Sequence, residues 1–246
     1  MKRILAIDTS SAWCSVALSA EAAPDRLVER HELLGPSASQ HLLPWITDLL
    51  TQEGMALRDL DAIAVGVGPG AFTGVRLSIA VVQGLAYASN LPLASVASLD
   101  AIAASAIDHP LIQAMDTGKQ EFTVAIDARM GEVYWAHYSA RKAEQGGDGT
   151  IVLPERIGAI QLSKPEDVQL RMSQCVFGSA VTQYPAYFEQ CMPSGRMDGT
   201  LGVSARGVLR CAQAMMANGQ LITVDQLEPM YIRNKVALTS AERGAK

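Results

Sequence analysis

The chain predicts a two-unit α/β protein, on three observations. Short apolar strands alternate with helices through the first unit, a proline-containing break follows at Asp108-His109-Pro110, and beyond it the pattern restarts with a new hairpin. At 246 residues, 49% hydrophobic and 18% charged, the chain can bury a full core as one large domain or two of ordinary size. The units fall at 1–107 and 108–225, with a tail at 226–246 expected to pack back on the first.

Each element has its own warrant. Ile4-Leu5-Ala6-Ile7 is a short apolar strand, Asp8-Thr9-Ser10-Ser11 a polar turn, and Cys14 to Ser19 alternates with period two as a half-buried strand does. Leu27 to Leu33 gives a third strand. Ser37 or Ser39 caps a helix through Leu42, Leu43, Trp45, Ile46, Leu49 and Leu50, with Pro44 near its start and a stop at Gly54. A strand at Leu93 to Val96 and a helix from Ser98 to Ala106 close the first unit. In the second, Phe122 to Ile126 and Val133 to Tyr138 form a hairpin turning at Gly131, Gly146-Gly147-Asp148-Gly149 is a loop, Cys175 to Phe177 is a short strand, and a helix from Ser204 ends at Gly219. No repeat of obvious period is visible.

The segment from Ala64 to Leu77 is the most informative, because an apolar run enters a glycine-rich turn at Gly66, Gly68, Gly70 and Gly74 and leaves as an apolar helix. Glycines let a backbone approach a ligand closely, and a helix N-terminus offers unpaired N–H groups to an anion. Gly68, Gly70, Thr73 and Gly74, with Asp8, Thr9 and Ser10, are therefore candidate nucleotide- or phosphate-binding residues. A tight strand-to-helix turn fits the same residues. The Gly-Lys-Ser/Thr ending of a P-loop is missing, and the partial dinucleotide fingerprint has no acidic residue at the right distance. Asp8 either caps its turn or stands beside the Thr9 and Ser10 hydroxyls to receive phosphate or hold metal-bound water.

Catalytic constellations are mostly missing. His31, His41, His109 and His137 are scattered with no pair at i and i+4, no G-x-S-x-G elbow is present, and Ser139-x-x-Lys142 is a chance-level match to a serine–lysine pair. No catalytic or metal-binding residue is assigned. A net charge of −5 and a pI near 5.4 argue against a protein that grips nucleic acid by itself. No apolar run spans a membrane, the amino terminus lacks a signal-peptide layout, and Cys14, Cys175, Cys191 and Cys211 read as reduced core thiols, all consistent with the cytoplasm.

Two helices carry more apolar surface than a small unit needs. From Val75 to Ala88 only Arg76, Ser78 and Gln83 are strongly polar, so this helix is expected to be buried all round. Ala80, Gly84 and Ala88 recur every four residues, a narrow strip that admits another helix. Interior packing is one reading; the other is a docking surface for a second protein, made of Leu42, Leu43, Ile46 and Leu50 with Arg76, Ala80, Gln83, Gly84, Tyr87 and Ala88.

Ile7-Asp8-Thr9-Ser10, the His41-Leu42-Leu43-Pro44 helix start, Gly68-Pro69-Gly70-Ala71-Phe72-Thr73-Gly74-Val75-Arg76, Asp127-Ala128-Arg129-Met130-Gly131-Glu132-Val133-Tyr134 and Pro229-Met230-Tyr231-Ile232-Arg233-Asn234 together resemble the TsaB (YeaZ) family, end to end. The resemblance implies an actin/hexokinase-like (ASKHA, RNase H-like) fold of two related α/β lobes. It also implies a non-catalytic subunit in the making of N6-threonylcarbamoyladenosine next to the anticodon of tRNAs that read ANN codons. The implied partners are TsaD, the paralogue that carries the metal and transfers threonylcarbamoyl, and the ATPase TsaE. A homodimer is implied when the chain is alone, with tRNA met only indirectly. No cofactor is its own, although ADP or ATP at a composite site with TsaD fits the family. The catalytic paralogue places two histidines four apart on the helix that begins at His41 here, and this chain has Trp45 at the second position. An ATP-binding phosphotransferase of the same fold is the alternative, and a peptidase a more distant one.

Overall fold

The opening hairpin sets the ground plan. β1 (Ile4–Asp8) and β2 (Trp13–Ser19) pair antiparallel, from Ile4 opposite Ser19 to Asp8 opposite Ser15, and β3 (Leu27–Leu33) pairs antiparallel with β2. Then come α1 (Ala38–Gln52), β4 (Ala62–Gly68), α2 (Phe72–Ser89), β5 (Leu93–Ala97) and α3 (Ser98–Ala106). β4 lies parallel to β1 and β5 parallel to β4, giving a sheet ordered β3-β2-β1-β4-β5. A short α4 (Pro110–Gln113), capped by the His109 ring accepting from Leu111 N–H, leads onward. β6 (Lys119–Arg129), β7 (Glu132–Arg141), β8 (Glu155–Ser163), β9 (Cys175–Phe177), α5 (Ser179–Gln183), α6 (Pro185–Cys191), β10 (Met197–Asp198) and α7 (Ala205–Ala217) follow. These elements come from a computed structural model, which describes residues 2–19, 27–115, 119–141, 153–170, 173–193 and 195–232.

The second sheet reads β8-β7-β6-β9-β10, with β6–β7 and β7–β8 antiparallel and β6–β9 and β9–β10 parallel. Strand for strand this is the order and sense of the first sheet, so one topology occurs twice without a visible sequence repeat. The result is the expected actin/hexokinase-like fold of two related α/β lobes.

Strand alternation divides the first sheet into two unlike faces. Leu5, Ile7, Val16, Leu18, Ile63 and Val65 point to the side covered by α1 and α2. Ile4, Ala6, Ala17, Ala62, Ala64 and Ala94 point to the other, where α3 and α7 lie. Small side chains on that face let α7 settle close, and the Ser15 hydroxyl accepts the Ala205 N–H at 2.7 Å where α7 begins. Gly207 makes the α3–α7 crossing: a Cβ there would stand 2.2 Å from the Ala101 carbonyl oxygen. After α7 the chain returns to the first lobe. Leu93 and Ile222 exchange N–H···O bonds of 2.8 Å, Leu227 enters the core, and Met230 N–H reaches the Val67 carbonyl at 2.8 Å.

Several expectations need correction. α2 is not buried all round: Val75, Ser78, Ile79, Val82 and Ala86 face the core, and the opposite side is bare. Leu42, Ile46 and Leu50, expected on a docking surface, are buried in the chain's own core together with Trp45 and Leu49, because α1 seats its broad apolar arc on the sheet. Only Leu43 of that set stands out, at 50% exposure. Neither serine caps α1 through its side chain; Ser37 Oγ donates to the Leu34 carbonyl in the preceding turn, and Pro44 lies inside the helix. Cys14, Cys175 and Cys211 are buried thiols, whereas Cys191 is exposed. Residues 146–149 and Lys142 lie outside the described residues.

Candidate functional site

Asp8 ends β1 in full burial. Its Oδ1 accepts the Ser10 N–H at 2.9 Å and the Ser10 hydroxyl at 3.0 Å, so it does cap the turn. Its Oδ2 has no hydrogen-bond partner among the described residues and faces the α-carbon of Gly66, where a Cβ would stand 1.9 Å away. Burial pushes the carboxyl up from 3.8 to about 7, with the two Ser10 bonds pulling the other way.

The glycine loop is pressed onto this turn. Ala71 N–H donates to the Ser10 carbonyl at 2.6 Å, and Thr9 Oγ1 donates to the Gly74 carbonyl at 2.6 Å. A Cβ on Gly70 would lie 2.3 Å from Ser10 O, and one on Gly74 1.9 Å from Thr9 O. Ser98 Oγ, from α3, donates to Ser10 Oγ at 3.2 Å. The structure thus gathers Asp8, Thr9, Ser10, Gly70 and Gly74 into one cluster, but the close approach the glycines permit is to the chain's own backbone. The Thr9 and Ser10 hydroxyls are bonded within it and both residues are buried, so the geometry is that of the tight strand-to-helix turn. Gly68 sits aside, with φ +98° before a cis peptide to Pro69, and Thr73 is exposed on the first turn of α2.

The bare side of α2 carries Ala80, Gly84, Tyr87 and Ala88, all exposed, with Arg76 and Gln83 half-buried along its border. Tyr87 is 83% exposed and Phe72, at the helix start, 61%. Among the described residues, nothing outside the helix's own nearby backbone lies within 4 Å of a Cβ added at Gly84. Gln83 Nε2 donates to the Leu227 carbonyl at 3.2 Å, tying the returning segment to the helix.

Two features escaped the sequence reading. Asp127 lies near the end of β6, two residues before its last, and Asp8 is the last residue of β1, the corresponding strand of the repeated topology. Its Oδ1 accepts from Arg129 N–H and Tyr184 Oη–H, both at 3.0 Å, and the hairpin beyond runs through Arg129, Met130 and Gly131 at φ +62°, +58° and +76°. The signal was an aspartate at or near the end of the first strand of each lobe. On the far side, Asp100 of α3 accepts from Tyr138 Oη–H at 2.7 Å and pairs with Arg156 at 3.3 Å. Burial raises the Asp100 carboxyl, opposed by those two donors, and the pair lines a cavity of about 560 Å³ with Cys211 and Met215. Among the described residues no three His, Cys, Asp or Glu side chains converge as a metal site, and no helix is long and apolar enough to cross a membrane.

Residues 32–157 match the family model described as TsaD: tRNA N6-adenosine threonylcarbamoyltransferase. The tRNA threonylcarbamoyladenosine biosynthesis protein TsaB of Escherichia coli (strain K12) is 40% identical over 242 residues, 96% of each chain. Its namesake from Haemophilus influenzae is 31% identical over 95% of this chain and 94% of that one. Among solved structures, YeaZ from Pseudomonas aeruginosa superposes with a TM-score of 0.77 at 35% identity, covering 94% of this chain and 100% of that one. Identity of this degree over nearly the whole of both chains, on a shared fold, places the chain in the TsaB (YeaZ) family.

Proposed function

We propose that this chain is a non-catalytic subunit for N6-threonylcarbamoyladenosine formation on tRNA, acting by pairing with TsaD through the bare face of α2. The names of its relatives support the pathway. The observation that carries the mode of action is Gly84. A glycine inside a helix costs roughly 0.5–1 kcal/mol against alanine, and here no neighbour among the described residues requires it. With Ala80 and Ala88 one turn to either side, all exposed, it leaves a groove that a crossing helix fills. The closed Asp8–Ser10 turn favours a subunit without its own chemistry, and the net charge of −5 favours leaving tRNA to the partner. On this reading TsaE joins the TsaD pair in the cytoplasm, any ADP or ATP binds at a site completed by TsaD, and the same face pairs two copies when TsaD is absent.

The test is Ala80→Glu and Ala88→Glu, examined by light scattering after size exclusion with and without TsaD, alongside circular dichroism and a tRNA modification assay. Both positions are exposed, so the variants should fold, fail to pair and fail to support modification. A folded variant that pairs and supports modification like wild type refutes the surface.

A further inference from the structure

Arg76 is the only charged residue on α2, and its surroundings are unusual. Its guanidinium carbon lies 3.4 Å from the centroid of the Phe72 ring and 5.3 Å from that of Tyr231, so it is wedged between two aromatic side chains that are each 61% exposed. One terminal nitrogen donates to the Phe72 carbonyl at 3.2 Å and the other to the Tyr231 hydroxyl. Both acceptors are neutral. The half-buried guanidinium groups of Arg30, Arg156 and Arg210 each have a carboxylate at hand, Asp48, Asp100 and Asp108, whereas Arg76 has none among the described residues. Guanidinium N–H groups remain after these bonds, held in a fixed plane by the rings and suited to a carboxylate's two oxygens.

We propose that the Phe72–Arg76–Tyr231 stack is a receptor for a single carboxylate on the protein that docks against α2. The proposal rests on the docking reading and adds the chemistry of one contact. The stack continues the bare face of α2 toward its N-terminus, so a helix laid along Ala88, Gly84 and Ala80 runs on to Arg76. A protein carboxylate fits better than RNA phosphate, because α2 offers no second cation and the chain is negative overall, where a polyanion requires a run of positive charge. The Tyr231 hydroxyl fixes the guanidinium, and Met230 N–H on the Val67 carbonyl fixes Tyr231 in turn.

The test measures the dissociation constant of the pair formed with TsaD from about 50 to 500 mM NaCl, in RNA-free buffer, for wild type, Arg76→Met, Tyr231→Phe and Ala80→Glu. Wild-type affinity should fall with salt. Arg76→Met should bind about 10-fold more weakly at the lowest salt and lose most of the salt dependence, and Tyr231→Phe should fall between the two. Melting curves confirm folding; should Arg76→Met prove unfolded, Tyr231→Phe, which removes one oxygen atom, carries the test alone. Wild-type affinity and salt slope in the Arg76 and Tyr231 variants, with Ala80→Glu abolishing pairing, overturn the carboxylate receptor and leave the docking face standing. Pairing that survives Ala80→Glu overturns both. The titrations are then repeated with tRNA added: an Arg76→Met defect that appears only there assigns the cation to phosphate and also overturns the proposal.

Discussion

One substitution made twice on the same helix should act with opposite signs. In Gly74→Ala the new methyl group would stand 1.9 Å from the Thr9 carbonyl oxygen, against the 3.4 Å at which ordinary contact begins. The turn and the helix start must therefore separate by about 1.5 Å, and the bonds that staple them are Thr9 Oγ1 to Gly74 O and Ala71 N–H to Ser10 O. Losing two hydrogen bonds costs about 1 kcal/mol each, and forcing a packed contact apart adds about 1–3 kcal/mol, partly offset by the better helix propensity of alanine. The expected net loss is about 2–4 kcal/mol, a fall in Tm of roughly 5–15 °C for a chain of this size. Gly84→Ala meets nothing within 4 Å among the described residues and should gain about 0.5–1 kcal/mol, a rise of roughly 1–4 °C. Differential scanning calorimetry and urea titration, at concentrations where the chain is monomeric, measure both. A Gly74→Ala variant within about 0.5 kcal/mol of wild type would show that the glycine loop is not packed on Thr9, and the closed turn would have to be abandoned.

Asp8→Asn should change the pH dependence of stability. A carboxyl raised from 3.8 to about 7 in the folded state favours folding most at low pH, loses that advantage as pH climbs between those values, and is level above them. Asparagine has no such loss, so urea titrations should show the variant gaining on wild type from pH 4 to pH 7.5, by at most roughly 4 kcal/mol, and parallel profiles would contradict the buried, ionisable assignment. A thiol reagent should modify Cys191 in the native chain and reach Cys14, Cys175 and Cys211, buried and held up at about 12, only on unfolding, as mass spectrometry of the labelled peptides will report. Ser204→Ala removes the side chain that accepts Gly207 N–H at 3.3 Å and should cost about 1 kcal/mol in a chemical denaturation curve; no measurable loss would mean the cap is not formed.

What could be read from sequence followed the strength of local signals. β1, β2, the hairpin of β6 and β7, and α7 with its Ser204 cap carry clean alternation or capping chemistry, and they form where expected. β8 was missed because it is an edge strand: most of its side chains are exposed or half-buried, and Gly158 interrupts it at φ +79°. α5 and α6, of 5 and 7 residues, are too short to show a period. The glycine loop was recognisable as a strand, turn and helix, but which way its glycines face depends on Thr9 and Ser10, some sixty residues upstream. Likewise the apolar arcs of α1 and α2 look alike in sequence. Only the tertiary arrangement decides that Leu42, Ile46 and Leu50 are covered while Ala80, Gly84 and Ala88 are not.

The alanine face of the first sheet has a consequence for synthesis. Residues that cover it on α7 are made more than a hundred positions after β4, and the segment that laces down the edge of β5 comes later still. At about 5–20 residues per second, the emerging first lobe waits on the order of ten seconds with Ala62, Ala64 and Ala94 covered by α3 but not yet by α7. Those side chains are small and offer little grip to a passing hydrophobic surface. A face of leucines would pack as well against some other helix, but it would be far stickier during that interval. The same economy of side-chain size that lets α7 dock closely therefore also keeps the half-made protein out of trouble until α7 arrives.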